Sequence, residues 1–313
     1  MKLPKISVVT PAYNEVGNLK LFCQKIHAAL VKVSSDFEII IVDDGSTDSS
    51  FEVLKSIKKE IKSLKIIHLR HHYGQTAALM AGFNLASKNI VIVLDSDLQQ
   101  DPNDIYKLIQ PIIKGKVDVV SGWRQNRKHT SMIKLIAFIG KFLNRVFLGI
   151  KLNDTAASPN AYKRIVLTDL NLYGEMHRFL VPILSWRGWR IIEVPVAHYP
   201  RYSGHSKYNA TKAIGCFLDL IVVKFWQDYS SRPIRLFGSI GLWLIFFGSI
   251  IGVEEAIRKL VFNLSIYNRT LPLLAAFLAI VGIQFLILGI LADIMVRIYY
   301  QNKPEDNVGS IIE

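Results

Sequence analysis

Asp95, Ser96 and Asp97 close the apolar run Ile90–Leu94, so two carboxylates stand at the end of a short, buried strand. Hard oxygen ligands on a rigid strand end suit Mg2+ or Mn2+, ions that keep some waters and bridge to phosphates of a bound molecule. Gln99 and Asp101 follow at once and offer further oxygens in the same loop. An Asp-x-Asp pair alone is a short pattern. Its weight here comes from the elements before it.

Ile6–Thr10 is a β-branched run expected to stop at Pro11, before Ala12-Tyr-Asn-Glu15. Glu38–Val42 is a second apolar strand, and Asp43-Asp-Gly-Ser-Thr-Asp48 follows it. Between them, Leu19, Phe22, Ile26 and Leu30 recur at helical spacing, as do Phe51, Leu54, Ile57 and Ile61 further on. Strands alternating with helices of this length predict βαβ units and a parallel sheet covered on both faces. Ligands of such sheets bind off the carboxyl ends of the strands. Three successive strand ends carry acids or turn residues, so the acids converge on one edge. Neither Gly-x-Gly-x-x-Gly nor a Walker A sequence follows the first strand, so side chains and a metal would hold any nucleotide. Asp44 offers an acceptor to a base N–H, and Tyr13 a ring to pack beside a base or ribose. His71 and His72 read as ordinary loop histidines, and no Cys/His cluster has zinc spacing.

Pro11-Ala-Tyr-Asn-Glu15, Val42-Asp-Asp-Gly-Ser-Thr-Asp48 and Leu94-Asp-Ser-Asp-Leu-Gln-Gln-Asp-Pro102 together resemble the inverting glycosyltransferases of family 2. More narrowly they are similar to polyprenyl-phosphate glycosyltransferases, the bacterial undecaprenyl-phosphate glucosyltransferases and dolichol-phosphate mannose synthases among them. The resemblance continues through Gly174-Glu-Met-His-Arg178, Glu193-Val-Pro-Val196 and His198–Tyr208 into the apolar tail. It implies a GT-A fold, a nucleotide-sugar donor, a divalent metal (Mg2+ or Mn2+) and a polyprenyl-phosphate acceptor. It also implies donor contacts from Pro11, Tyr13, Glu15, Val42, Asp44, Asp95, Ser96, Arg124, Arg201 and Lys207. Asp97 and Gln99 become the metal ligands, and Asp97, Asp154 and Arg201 the catalytic set. Asp154 matches an acceptor-loop aspartate that is often assigned as a base. Here Ala156-Ala-Ser-Pro159 replaces the glycine and Phe-Arg pair common at that place.

Charge is unevenly spread. Residues 121–233 carry 17 Lys/Arg against 6 Asp/Glu, whereas 1–120 carry 15 against 13 and 234–313 carry 6 of each. A basic stretch directly before apolar spans suits an anionic bilayer and a phosphorylated lipid better than nucleic acid. Leu236–Val253 contains no charge and Leu271–Val296 only Asp293, so both are long enough to cross a bilayer. The expected organisation is a GT-A catalytic domain over 1–210, a juxtamembrane amphipathic helix over 211–233, two transmembrane helices within 234–300 (about 236–253 and 271–296) and a cytosolic tail over 301–313. Met132–Ile150 reads as a second helix, either interfacial or core. No signal peptide precedes the first strand, which predicts a multi-pass protein of the inner (plasma) membrane with its large domain in the cytoplasm. Cys23 and Cys216 are far apart in sequence, and no disulfide framework is expected. Small membrane hairpins often associate, which leaves the oligomeric state open between a monomer and a homo-oligomer.

The expected activity is inverting transfer from UDP-glucose to undecaprenyl phosphate for cell-surface glycan modification. GDP-mannose or a UDP-amino sugar are the alternative donors. A processive synthase would carry Gln-x-x-Arg-Trp and more spans, and Ser185-Trp-Arg-Gly-Trp189 is not that motif. A catalytically silent membrane scaffold would not need Glu15, Asp44, Asp95 and Asp97 intact.

Overall fold

The computed structural model describes residues 3–124, 152, 159–199, 221–230, 232–265 and 269–301. The chain divides into two compact units, Met1–Val223 and Lys224–Glu313. Asp154, Arg201, Lys207, Cys216, the 132–150 segment, most of 211–226 and residues 302–313 lie outside the described residues; within 221–230, residues 221–229 are helical.

In the first unit β1 (Lys5–Ala12), α1 (Val16–Val33), β2 (Asp36–Asp43), α2 (Ser50–Glu60), β3 (Leu64–His68), α3 (Gln75–Leu85) and β4 (Ile90–Val93) alternate as the apolar periods demand. α4 (Ile105–Ile113), β5 (Val119–Arg124), β6 (Asn160–Lys163), α5 (Leu180–Trp186) and β7 (Ile191–Val196) complete it among the described residues. The sheet order is β3-β2-β1-β4-β6-β5-β7, and β6 alone runs antiparallel to both neighbours. This is the mostly parallel, GT-A arrangement. Because β-strand side chains alternate, odd and even positions serve opposite faces. Val8, Ile39, Ile41 and Ile92 pack on Leu19, Phe22, Ile26 and Leu30 of α1. Val9, Ile40, Val42, Val91 and Val93 meet Ala78, Leu79 and Phe83 of α3 and Leu180 and Leu184 of α5. Each fully buried Leu or Ile contributes about 1.5–3 kcal/mol, which explains why both faces are lined mainly by apolar side chains.

β1 does not stop at Pro11 but runs to Ala12, pairing Pro11 with Val42 and Ala12 with Asp43. The β4 ladder ends at Val9–Val93. Pro11 therefore faces its missing N–H beyond that ladder, where no partner needs it. Its carbonyl, on the same side, accepts from the Ser96 hydroxyl at 3.2 Å.

Two buried carboxylates brace the edge opposite the strand ends that carry the acids. Asp118 is held by Arg190 (2.9 Å) and Lys163 (2.7 Å), joining β5, β6 and β7, and those partners keep its carboxyl far below the usual range. Glu38 accepts from Ser7 (2.6 Å), the Ser87 backbone (2.7 Å) and Lys65 (2.6 Å). Burial alone would raise the Glu38 carboxyl; Lys65, Ser7 and Ser87 outweigh it and hold the group at about 2. The unfolded value is about 4.3, so the folded state binds this proton less tightly than the unfolded one. The stabilisation is present above pH ~4.5 and is lost as pH falls toward the folded value. We expect it to be on the order of 2 kcal/mol, discounted because Lys65 is half exposed. Thermal melting of the detergent-held chain should lose stability between pH 5 and 3 more steeply than in Glu38→Gln. Parallel acid limbs for the two proteins would refute this account.

The second unit contains α6 (Ile234–Leu260) and α7 (Leu271–Gln301). Both extend past the apolar stretches, because Glu254–Lys259 and the residues after Val296 still favour helix. Both are long and apolar enough to cross a membrane, and most of their apolar surface is unburied. Gly241 and Gly282 face each other so closely that a Cβ on either would sit 2.6 or 2.7 Å from the other's carbonyl oxygen. Small residues that bring helix backbones together are the usual means of pairing helices in a lipid setting. Glu255, a buried residue of α6, binds Arg269 of the connection at 2.6 Å.

Candidate active site

Parallel pairing puts the ends of β1, β2, β3 and β4 on one edge: Ala12 opposite Asp43, and Asp43 opposite His68. β5 reaches this edge at half-buried Arg124, in register with Val196 of β7. Antiparallel β6 begins there, with Asn160 opposite Val93. Asp154 precedes Asn160 by a few residues, and Arg201 follows Val196 by a few. The described strands thus bring Tyr13, Asp44, Asp95, Asp97 and Arg124 to a common edge.

The first two strand-end loops are bonded together. Asn14 sits in the left-handed region (φ 56°), where Asn is tolerated, and its side-chain oxygen accepts from Thr47 N–H at 2.9 Å. The Asn14 N–H donates to Ser46 Oγ (2.9 Å) and the Glu15 N–H to Ser50 Oγ (3.0 Å). The Glu15 carboxylate accepts from Asn18 Nδ2 at 2.6 Å, so this expected donor contact supports the start of α1. Val42 is fully buried within β2. Asp43, also fully buried, accepts from Ser46 and lies 2.7 Å from His68 Nδ1, whose ring stacks on Phe51 at 4.1 Å.

Asp44 is less open than the sequence suggests. Its Oδ1 accepts from Tyr73 N–H at 2.8 Å and its Oδ2 from Gly74 N–H at 2.9 Å. His72 Nδ1 lies 2.8 Å from the same Oδ2. The His72 ring stacks on Tyr13 with centroids 3.9 Å apart and planes 20° off parallel. His72 is thus no ordinary loop histidine. The approach depends on Gly45: its φ is +65°, and a Cβ there would lie 2.3 Å from the His71 carbonyl carbon. Any other residue would push the 71–74 segment off Asp44.

At the end of β4, Asp95 and Gln100 exchange hydrogen bonds: Asp95 N–H to Gln100 Oε1 (3.1 Å) and Gln100 Nε2 to Asp95 Oδ2 (2.9 Å). Gln75 at the start of α3 donates to Asp95 Oδ1 at 3.4 Å. Asp97 accepts from Gln99 N–H at 3.1 Å across a turn in which Leu98 has φ 59°. A non-glycine residue held there is strained, and such strain clusters at functional sites. Asp101 has a structural task in the same loop. It caps the short helix Pro102–Asp104 by accepting from Asn103 N–H at 2.9 Å, as an Asp before Pro should.

This loop is stitched to residues 197–199. Tyr199 N–H donates to Gln99 O (2.8 Å), Gln99 Nε2 to Tyr199 O (3.4 Å), and Ala197 N–H to buried Asp104 Oδ2 (2.7 Å). The Gln99 side chain therefore already has a partner. Its oxygen can still join Asp97 at an ion, since amides ligate through oxygen and donate through nitrogen. Among the described residues no three His, Cys, Asp or Glu side chains form a protein-only cage. Mg2+-type ions commonly use one or two carboxylates plus phosphates, so the oxygen donors of Asp95, Asp97 and Gln99 fit such an ion.

Below Gln75, Thr76 Oγ1 donates to Gly174 O (2.5 Å) and lies 2.8 Å from His177 Nδ1. With its hydrogen directed at Gly174, the hydroxyl accepts, so Nδ1 carries the histidine proton. Burial pushes His177 down to about 4, with Glu175 opposing and Arg178 assisting, so the ring is neutral near pH 7. This joins the Gly174–Arg178 motif to the helix that flanks Asp95. Cys23 is buried in the core, and burial raises its thiol to about 12, which makes it inert.

Residues 7–170 match glycosyl transferase family 2. The chain is 32% identical over 310 residues to a dodecaprenyl-phosphate galacturonate synthase of Rhizobium johnstonii, covering 97% of this chain and 91% of that protein. It is 30% identical over 300 residues to an undecaprenyl-phosphate 4-deoxy-4-formamido-L-arabinose transferase of Photorhabdus laumondii, covering 95% and 90%. A solved glucosyl-3-phosphoglycerate synthase of Mycobacterium tuberculosis, in complex with Mn2+, UDP and glucosyl-3-phosphoglycerate, superposes with a TM-score of 0.53 at 20% identity, covering 71% of this chain and 79% of that one. That likeness carries the GT-A fold. The chain belongs to glycosyl transferase family 2, among the polyprenyl-phosphate glycosyltransferases.

Proposed function

We propose that the chain moves a sugar from a UDP-sugar to a polyprenyl phosphate at the inner membrane, with inversion and from the cytosolic side. The observation that carries this is the convergence of Tyr13, Asp44, Asp95, Asp97 and Arg124 on one sheet edge, in a chain that also holds two apolar helices. The names of the relatives support a polyprenyl-phosphate acceptor. Tyr13 and Asp44 take the base. Both Asp44 oxygens already accept a backbone N–H, which suits uracil's single imide donor and disfavours guanine's adjacent pair.

Asp97, with Gln99 and the bonded Asp95, would hold Mg2+ or Mn2+ against the diphosphate. Bound there, the ion would supply a Lewis acid that neutralises the leaving nucleotide. Arg124, with Arg201 and Lys207, adds fixed positive charge where negative charge develops. The acceptor is a phosphate monoester with a second pKa of about 6, so its oxygen is largely deprotonated at neutral pH. We therefore assign Asp154 to positioning or weak-base work. Displacement by that oxygen from the face opposite the diphosphate inverts the anomeric carbon.

A nucleotide-sugar panel tests the reading. The detergent-held chain, given undecaprenyl phosphate and Mn2+, should transfer from one of UDP-glucose, UDP-galacturonic acid or the UDP form of 4-deoxy-4-formamido-L-arabinose, and not from GDP-mannose. Product is scored by extraction into organic solvent. Transfer from GDP-mannose alone would overturn the uridine assignment, and a water-soluble product would overturn the lipid acceptor.

A further inference from the structure

Two contacts define the base site proposed above: a ring face on Tyr13 and an N–H directed at Asp44. Without a nucleotide, His72 makes both. Its imidazole lies 3.9 Å over Tyr13 with planes 20° apart, and its Nδ1 is 2.8 Å from Asp44 Oδ2. A carboxylate only accepts, so Nδ1 must carry a proton and act as the donor. A flat heteroaromatic ring that stacks on the tyrosine and donates one N–H to the aspartate reproduces what uracil would present.

We propose that His72 is an internal placeholder for the nucleobase, competing with the donor for Tyr13 and Asp44 and setting donor affinity. The inference rests on the assignment of Tyr13 and Asp44 to the base. The surroundings allow the exchange. His72 remains 51% exposed at its side chain, whereas Asp44 is 3% exposed beneath it. The ring therefore covers the acceptor from the solvent side, where it can swing away. The backbone need not follow, because Tyr73 and Gly74 N–H hold Asp44 independently and Gly45 seats the His71 backbone. Once His72 leaves, Oδ2 regains the acceptor position that a base N–H requires. The Tyr73 ring packs on His71 at 3.7 Å and stays clear of this exchange.

The consequence is quantitative. Apparent affinity equals intrinsic affinity scaled by the fraction of molecules in which the site is open. A placeholder seated nine-tenths of the time weakens donor binding about tenfold.

The test is calorimetric titration of UDP with MnCl2 into the full chain in detergent, for the native protein, His72→Ala and His72→Gln. A placeholder predicts that His72→Ala binds UDP about three- to tenfold more tightly. His72→Gln, which keeps an amide N–H but loses the ring face, should gain less. Unchanged or weaker binding in both variants overturns the proposal, and a merely supporting role for His72 would give that weaker binding. Tyr13→Ala in the His72→Ala background separates the two layers of the argument. If it leaves UDP affinity untouched, the base does not sit on Tyr13 and the underlying site assignment fails. If it weakens UDP while the His72 variants show no gain, only the placeholder falls.

Discussion

Asp97→Asn should leave the fold intact and lower turnover by two orders of magnitude or more, a loss of roughly 3 kcal/mol of transition-state stabilisation. The replacement is isosteric, and its amide can still accept the Gln99 N–H that shapes the turn. What disappears is an anionic oxygen at a position that is 8% exposed, where charge is felt strongly. Circular dichroism and thermal melting should match the native chain while transfer collapses. Asp95→Asn should be milder for binding, because Gln100 and Gln75 already draw on that carboxylate and can keep the loop in place. Near-native transfer by Asp97→Asn, or by the native chain in excess EDTA, would remove the metal from the mechanism.

Truncation after Arg232 should separate donor binding from transfer to lipid. The cut removes α6 and α7 and leaves Tyr13, Asp44, Asp95 and Asp97 in place. The shortened chain, checked for folding by circular dichroism, should bind UDP with Mn2+ as the full chain does. Transfer to a long polyprenyl phosphate should fall at least tenfold, because the acceptor is confined to a bilayer the chain no longer enters. A short, water-soluble prenyl phosphate diffuses to the site, so its loss should be much smaller. Four rates, two chains by two acceptors, decide the matter. Equal loss for both acceptors with unchanged UDP affinity would mean that the helices shape the active site instead of anchoring it.

The parallel strands were legible because buried β-branched runs and helical periods leave few other readings, and α1 (Val16–Val33) encloses the Leu19–Leu30 pattern. Convergence of the acids followed from strand direction alone. Antiparallel β6 was not legible, since Asn160–Lys163 is too short to carry a period and its pairing is with distant residues. The capping role of Asp101 was missed although Asp-Pro-Asn is a capping sequence. His72 escaped for a different reason. A histidine in a loop has no periodic signal, and its role depends on a Gly45 contact that brings separate loops together. The extension of α6 beyond Val253 was hidden by counting apolar residues, when Glu, Ala, Arg and Lys continue a helix as readily in water.

The bonds from Gln99 and Asp104 to residues 197–199 bear on how loops at this sheet edge can be exchanged between relatives. The two segments lie almost a hundred positions apart in the chain, yet they form one inheritable block. A chimera that imports the 95–104 loop while keeping its own 197–199 strap would leave the Ala197 N–H facing a carboxylate set for another backbone. Swaps that carry both pieces should keep the junction, and the recombination points best suited to such grafts fall inside α4 and β7, where the core holds the backbone whatever loop is attached.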